Sequence, residues 1–234
     1  MKIDAKLPSR CGTMIKRDIY KDAANLYLKC ASRTPAVVID GGSCQGTMIS
    51  LFNTLLPKST IHGFEANPKL FSNLVRRFSA SKNIILHNDI LSDVVGTAKF
   101  NVSDYFPSSS IFEPTDWLIR ICGDMVKVKE VIDVPSVTLD SVLTHADVMK
   151  LDVQGAELKV LQGATKLLKT MKVVILEVLF VDYYKDQTLF SDLYDFMIKH
   201  NFQMFGLYNL STCVDGNLVA ADSLFINLDY YNKL

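Results

Sequence analysis

From Asp18 to Ala31 the apolar side chains Ile19, Ala23, Leu26, Tyr27 and Cys30 recur at i, i+4, i+7, i+8 and i+11. That is the stripe of an amphipathic helix, and Thr34-Pro35 ends it. Beyond it the pattern alternates. Ala36–Ile39 is a short continuous β-branched run of the kind found in parallel strands covered on both faces. Asp40 to Gly46 is a glycine loop, Thr47–Leu56 has helical character, Ile61–Phe64 is a strand, Pro68 opens a further helix, and Ile84–His87 is a strand. Strand–helix units in succession predict a parallel, doubly wound α/β sheet with right-handed crossovers. Residues 91 to 137 break the rhythm: Gly96–Val102 and Val126–Val134 alternate like exposed antiparallel strands around a polar loop, Ser103–Pro114. The rhythm then resumes with a strand at Val148–Leu151, a helix at Glu157–Leu168, a strand at Val173–Val178, a helix at Leu189–His200, and closing strands at Gln203–Leu207 and Ser223–Ile226.

Composition narrows this further. With 234 residues, 49% of them hydrophobic and 21% charged, the chain can bury a full core without covalent staples. No repeat or linker interrupts 35–234, which is expected to form one domain, with 1–34 as an N-terminal helical appendage. The five cysteines, Cys11, Cys30, Cys44, Cys122 and Cys213, are odd in number, widely spaced and without a C-x-x-C pair, so they are expected to be reduced thiols. The N-terminus lacks the apolar stretch of a secretory signal, which points to a cytoplasmic setting. The most apolar run, Val173–Val181, is interrupted by Glu177 and falls far short of the roughly 20 residues that cross a bilayer. A formal net charge of zero removes any global electrostatic case for nucleic acid. Residues 1–34 nevertheless hold eight Lys/Arg against three Asp, as a solvated helix face or one that meets an acidic partner.

In an open parallel sheet, ligands bind beyond the carboxyl ends of the strands where strand order reverses. The loop Asp40-Gly41-Gly42-Ser43-Cys44-Gln45-Gly46 belongs there. It is neither a dinucleotide G-x-G-x-x-G, since position 43 is Ser, nor a P-loop, since no G-K-[ST] follows. What remains is D-x-G-x-x-x-G from Asp40, Gly42 and Gly46. Glu65 ends the second strand, 19 residues after Gly46, where a carboxylate can accept both hydroxyls of a ribose. A glycine loop and Glu65 together specify an adenosine ligand better than either alone. The alternative is a surface Glu capping the helix that starts at Pro68.

The segments D-G-G-S-C-Q-G, F-E-A-N-P (Phe64 to Pro68), the stretch at Asn83, S-S-S-I (Ser108 to Ile111), V-T-L-D (Val137 to Asp140) and D-V-M-K-L-D-V-Q-G-A-E (Asp147 to Glu157) occur in order over about Val37 to Ile226. Taken together they resemble the motif set of FkbM-type methyltransferases. The resemblance implies a Rossmann-like methyltransferase sheet, mostly parallel with an antiparallel last strand. It also implies methyl transfer from S-adenosylmethionine, usually to a hydroxyl of a sugar or other small metabolite. Carried onto this chain, Asp40, Gly42 and Gly46 would face the methionine part of the cofactor, Glu65 its ribose, and Asp89 (or Asn88) its adenine. Asp152 would lie next to the methyl group. One departure stands out: where the family usually has E-G-A-E, this chain has Gln154.

Lys150 and Glu177 lie inside otherwise apolar strands, and unpaired buried charges cost several kcal/mol. If the two strands are neighbours, the two residues are expected to neutralise one another. Asp152, Glu177 and Lys150 are therefore the candidate catalytic set, with support of the strand ends as the competing reading. Glu157 reads as a first-turn helix residue favoured by the dipole, or as a substrate contact. His87 is the one histidine placed to serve as a base. No H-x-x-x-H, C-x-x-C or D-x-D cluster calls for a metal, although Asp152 with Glu177 could hold one ion. Tyr105, Phe106, Ser108–Ser110 and Trp117 combine hydroxyls with aromatic faces suited to a polar ring. The expected partner is a small-molecule or carbohydrate acceptor. Two other functions compete: a catalytically silent cofactor-binding module, for which Gln154 is the hint, and an NAD-dependent oxidoreductase, disfavoured by Ser43 and by the lack of a Tyr-x-x-x-Lys set.

Overall fold

The computed structural model describes residues 17–30 and 35–231. Cys11 and the first sixteen residues of the basic segment lie outside the described residues, as does Thr34. The elements run α1 (Ile19–Cys30), β1 (Val37–Gly41), α2 (Thr47–Leu55), β2 (Thr60–Phe64), α3 (Pro68–Arg77), β3 (Ile84–His87), β4 (Ile90–Leu91), β5 (Gly96–Ser103), α4 (Asp116–Cys122), β6 (Val128–Val137), α5 (Leu139–Val142), β7 (Val148–Leu151), α6 (Glu157–Gln162), β8 (Val173–Leu179), α7 (Phe190–Lys199), β9 (Phe202–Thr212), β10 (Leu218–Asn227) and α8 (Leu228–Tyr231).

Seven strands form one sheet in the order β3-β2-β1-β7-β8-β10-β9. The first five run parallel, and β10 is antiparallel to both of its neighbours. Chain order reverses between β1 and β7, so the loops after these two strands flank the crevice in which such sheets hold ligands. The central strands are buried on both faces, as their unbroken apolar runs require: Val38, Ile39, Val148, Met149, Val173, Val174, Ile175 and Leu176 are fully covered. One core lies between the sheet and α6 and α7, another between the sheet and α1 and α2. In the second, Ile19, Ala23, Leu26 and Tyr27 of α1 pack with Phe52, Val38 and Leu224, which is where the apolar stripe of that helix goes.

Two elements depart from the pattern. The helix expected over Glu157–Leu168 stops at Gln162 and gives way to a separate short turn at Leu167–Lys169. Gly163 lies so close to Ser92 that a Cβ would sit 2.2 Å from the Ser92 carbonyl oxygen. The Asp140 carboxylate accepts the N–H groups of Lys166 and Leu167 and starts the new turn there. The interruption at 91–137 is a second sheet, β4-β6-β5, in which β5 and β6 pair antiparallel as expected. Its third strand, β4, has only two residues, Ile90 and Leu91, too few to show a periodicity.

Candidate active site

The crevice holds a cavity of about 340 Å³, within the range of small-molecule sites. Its floor comes from Gly42 and Cys44 after β1, from Glu65 and Ala66 after β2, and from Asp152, Val153 and Gln154 after β7. Glu177 closes it from β8. Phe100 of β5, Leu91 of β4 and the segment Tyr105–Ser109 cover it. The carboxyl groups of Glu65, Asp89, Asp152 and Glu177 line it, and among the described residues no Lys, Arg or His does.

The glycine loop is fixed by its neighbours. Gly42 has φ +78, and a Cβ there would lie 1.9 Å from the Asp152 carbonyl oxygen, so only glycine lets the β1 and β7 exits meet. Gly46, also at positive φ, packs against Phe78 and Leu74 at the start of α2 and does not line the cavity. Asp40 is fully buried in β1 and outside the cavity lining, with Ser43 and the Lys150 ammonium nearby. Burial raises its pKa despite the nearby Lys150 ammonium.

Glu65 is only 6% exposed. The Cys44 N–H donates to its Oε2 at 2.7 Å and the Asn67 N–H to its Oε1 at 2.8 Å. Burial pushes this carboxyl up, and the two N–H groups pull it back. The helix that starts at Pro68 is capped by Asn67, whose side chain accepts the Lys69 N–H and whose own N–H goes to Glu65, which is buried rather than a surface residue. Asn88 Nδ2 donates to the backbone carbonyls of Glu65 and Ala66, and Asp89 is the member of that pair that reaches the cavity. His87 stacks on Phe64 and hydrogen-bonds His62 at 3.1 Å, and it is not part of the lining.

At the opposite end, β7 and β8 are neighbours as expected, but the ion pair differs from the expected one. Lys150, 5% exposed, reaches Asp152 Oδ2 at 3.2 Å instead of pairing with Glu177. Register explains the choice, since Lys150 lies beside Ile175, two residues short of Glu177, and Asp152 follows on its own strand. Burial alone would lower the Lys150 pKa, but Asp152 and Asp40 overcome it and hold the ammonium charged. Burial likewise acts to raise Asp152, and Lys150 together with the hydrogen bonds from Gln154 and Glu177 outweighs it, leaving the carboxyl below its usual range. The Asp152 side chain is 38% exposed and faces the cavity. Among the described residues Glu177 has no cation in contact, and burial, then Asp152 and Glu157, push it well above the usual carboxyl range.

Gln154 joins the pair. Its Nε2 donates to Asp152 Oδ1 at 2.7 Å and to Glu177 Oε2 at 2.9 Å, while its Oε1 accepts from the Tyr184 hydroxyl at 2.7 Å. Its backbone carbonyl accepts from Ser110 Oγ at 2.7 Å. Glu157, 1% exposed, accepts the Val153 N–H and sits behind the loop, with burial pushing it up to about 7.

Of the expected acceptor-binding residues, Tyr105, Phe106, Ser108 and Ser109 reach the cavity. Trp117 does not: it stacks on Tyr183 beside a separate depression lined by Ile121, Cys122, Cys213 and Val214. Tyr184 escaped the sequence reading because nothing in its neighbourhood marks a site. Among the described residues, no group of three His, Cys, Asp or Glu is placed to hold a metal ion, and no helix is long and apolar enough to cross a membrane.

Similar solved structures include precorrin-6y C5,15-methyltransferase from Geobacter metallireducens (12% identity, 87% of this chain and 86% of that one, TM-score 0.48). Magnesium protoporphyrin IX methyltransferase from Synechocystis is another (11%, 89% and 77%, 0.48). Fibrillarin from Aeropyrum pernix is a third (14%, 89% and 76%, 0.47). Among curated proteins, none matches the chain. The methyltransferase FkbM domain matches residues 40–204, from the glycine loop to the start of β9, and the chain belongs to the FkbM methyltransferase family.

Proposed function

We propose that the cavity binds S-adenosylmethionine between the β1 and β2 exits, and that the enzyme methylates a hydroxyl of an uncharged small molecule or sugar at the β7–β8 end. The observation that carries this reading is the makeup of the lining: four carboxyl groups, no cation among the described residues, and a cover of hydroxyl and aromatic side chains. Such a lining suits a cationic sulfonium and disfavours phosphorylated or carboxylated acceptors at the reacting end. The cofactor's electrophilic methyl carbon, carried on a positive sulfur, is what it supplies when bound.

The residues fit that group. Each Glu65 oxygen accepts one backbone N–H and keeps a further lone pair for a ribose hydroxyl. Gly42 gives close backbone approach, and Asp89 serves the adenine amino group. Asp40 and Gly46 act from beneath, through the charge balance around Lys150 and the entry into α2. Asp152 orients the acceptor hydroxyl and accepts the proton that it gives up. Lys150 keeps Asp152 ionised, and Glu177 borders the same space. Methyl transfer is an in-line displacement, so holding the hydroxyl still with water excluded supplies much of the rate. Tyr105, Phe106 and the serines do this from above.

The test is transfer of labelled methyl from S-adenosylmethionine to paired acceptors, each hydroxyl compound with and without a phosphate beside the reacting group. The neutral members are expected to react, with Asp152→Asn at least about 100-fold slower. Preference for the phosphorylated members, or an undiminished Asp152→Asn rate, would overturn the reading.

A further inference from the structure

The carboxyl pair at the β7–β8 end has one cation for two potential negative charges. Lys150 contacts Asp152 at 3.2 Å, whereas Glu177 meets the neutral amide of Gln154, at 2.9 Å, and the Asp152 carboxyl itself. The other groups around Glu177 are acidic or uncharged. Asp152 and Gln154 follow β7, Glu157 opens α6, Tyr183 and Tyr184 follow β8, and Asp222 is its register partner on β10. Lys150 on β7 is the cation that pulls the other way.

Gln154 is poised to use both of its N–H groups at once. Its Nε2 reaches Asp152 Oδ1 at 2.7 Å and Glu177 Oε2 at 2.9 Å. The amide cannot turn over freely, because the Tyr184 hydroxyl, shared with the Ser108 carbonyl, holds Oε1 at 2.7 Å. Turned over, Oε1 would face two carboxyl groups and Nε2 would face a hydroxyl. The backbone at Gln154 is held too, at φ 56, by Ser110 Oγ on its carbonyl. A carboxylate at this position would instead put three acidic groups within hydrogen-bond distance, which cannot all ionise beside one lysine.

We propose that Gln154 is a positioning residue that puts a neutral double donor where a third carboxyl would crowd the pair, aiming an ionised Asp152 at the acceptor and bridging it to Glu177, which lacks a cation partner among the described residues and keeps its proton. The consequence is a site that keeps one base and one acid side by side. The ionised base is balanced by Lys150, and the acid retains a proton. Ser110 and Tyr184 tie this arrangement to the Tyr105–Ser110 segment above the cavity, so the acceptor's cover and the proton-handling pair are built on one side chain.

The proposal rests on the functional reading for the word acceptor, but its test needs neither cofactor nor acceptor. The carboxyl carbons of Asp and Glu are labelled with carbon-13 in the ligand-free protein and titrated by NMR, with Glu177→Gln used to assign the Glu177 signal. In the wild type, Glu177 is expected to titrate above the usual carboxyl range and Asp152 below it. In Gln154→Ala, the Glu177 midpoint is expected to rise by about one pH unit and the Asp152 midpoint to rise with it, as the hydrogen bonds donated to their charged forms are lost. Gln154→Glu is expected to raise it further and to add a second proton held near neutrality. Tyr184→Phe keeps the amide but frees its oxygen, and is expected to move Glu177 in the same direction by less. That variant carries the test if Gln154→Ala does not fold. Midpoints within about 0.3 pH unit of wild type in the folded variants, or a wild type in which Glu177 ionises before Asp152, would overturn the proposal. A merely structural role would lower stability without moving these midpoints. Failure of the functional reading would show separately, as a protein that titrates as expected and does not bind S-adenosylmethionine.

Discussion

At the β2 end of the cavity, Glu65 is held by two backbone N–H groups, whereas at the β7–β8 end Asp152 and Glu177 are held by the side chains of Lys150 and Gln154. The first arrangement is built within residues 40–67, from the turn after β1 and the turn after β2. The second draws on β7, β8, the Tyr184 loop and the Ser110 segment at once. A backbone donor stays in place when side chains change, so the β2 end tolerates variation around it. A side-chain network fails when one member is removed, because a charged neighbour is left buried without its partner.

The largest expected effect tests that fragility. Asp152→Ala strips the buried Lys150 ammonium of its ion pair and is expected to lower the free energy of unfolding by about 3 kcal/mol, measured by urea denaturation. Adding Lys150→Met is expected to recover most of that loss. A cost under about 1 kcal/mol for Asp152→Ala would mean that the network is not what holds the β7 end.

A smaller effect concerns Glu157, whose carboxyl is raised from 4.5 to about 7 by burial. A raised acid binds its proton more tightly when folded, so the native state loses stability as pH rises from about 4.5 to about 7. Glu157→Gln removes that dependence. It is expected to gain up to about 2 kcal/mol over wild type at pH 8 and little at pH 5, read from thermal unfolding at both values. An equal change at the two pH values would show that Glu157 is ionised throughout.

The smallest concerns the brace of the β2 end. Asn88→Ala removes the bonds to the Glu65 and Ala66 carbonyls, and is expected to weaken S-adenosylmethionine binding about threefold to tenfold by calorimetry. A loss above about 100-fold would show that the backbone donors alone do not hold Glu65.

The same contrast governs what could be read from the sequence. The β1-α2-β2-α3-β3 order, the glycine loop and Glu65 follow from local patterning: apolar strands, a turn that needs positive φ at Gly42, and a carboxylate at a strand end. The short strand β4 and the early end of α6 were not legible, because one is too short for a period and the other depends on the backbone of Ser92. At the site, Asp152 and Glu177 were visible as acids at or within apolar strands. The direct Lys150–Asp152 pair and the role of Tyr184 were not, since both depend on register and on a loop more than 30 residues from Asp152. Gln154 was visible only as a departure from the family's motif, and its four hydrogen bonds give that departure a physical meaning.

Calorimetric titration with S-adenosylmethionine of the wild type and of Glu65→Ala decides whether the cavity beside Glu65 holds the methyl donor. Saturable binding by the wild type is expected, with at least about 30-fold weaker binding by a folded Glu65→Ala, the worth of hydrogen bonds to a buried charged group. Absence of binding by the folded wild type, or equal affinity in the two proteins, would contradict that assignment.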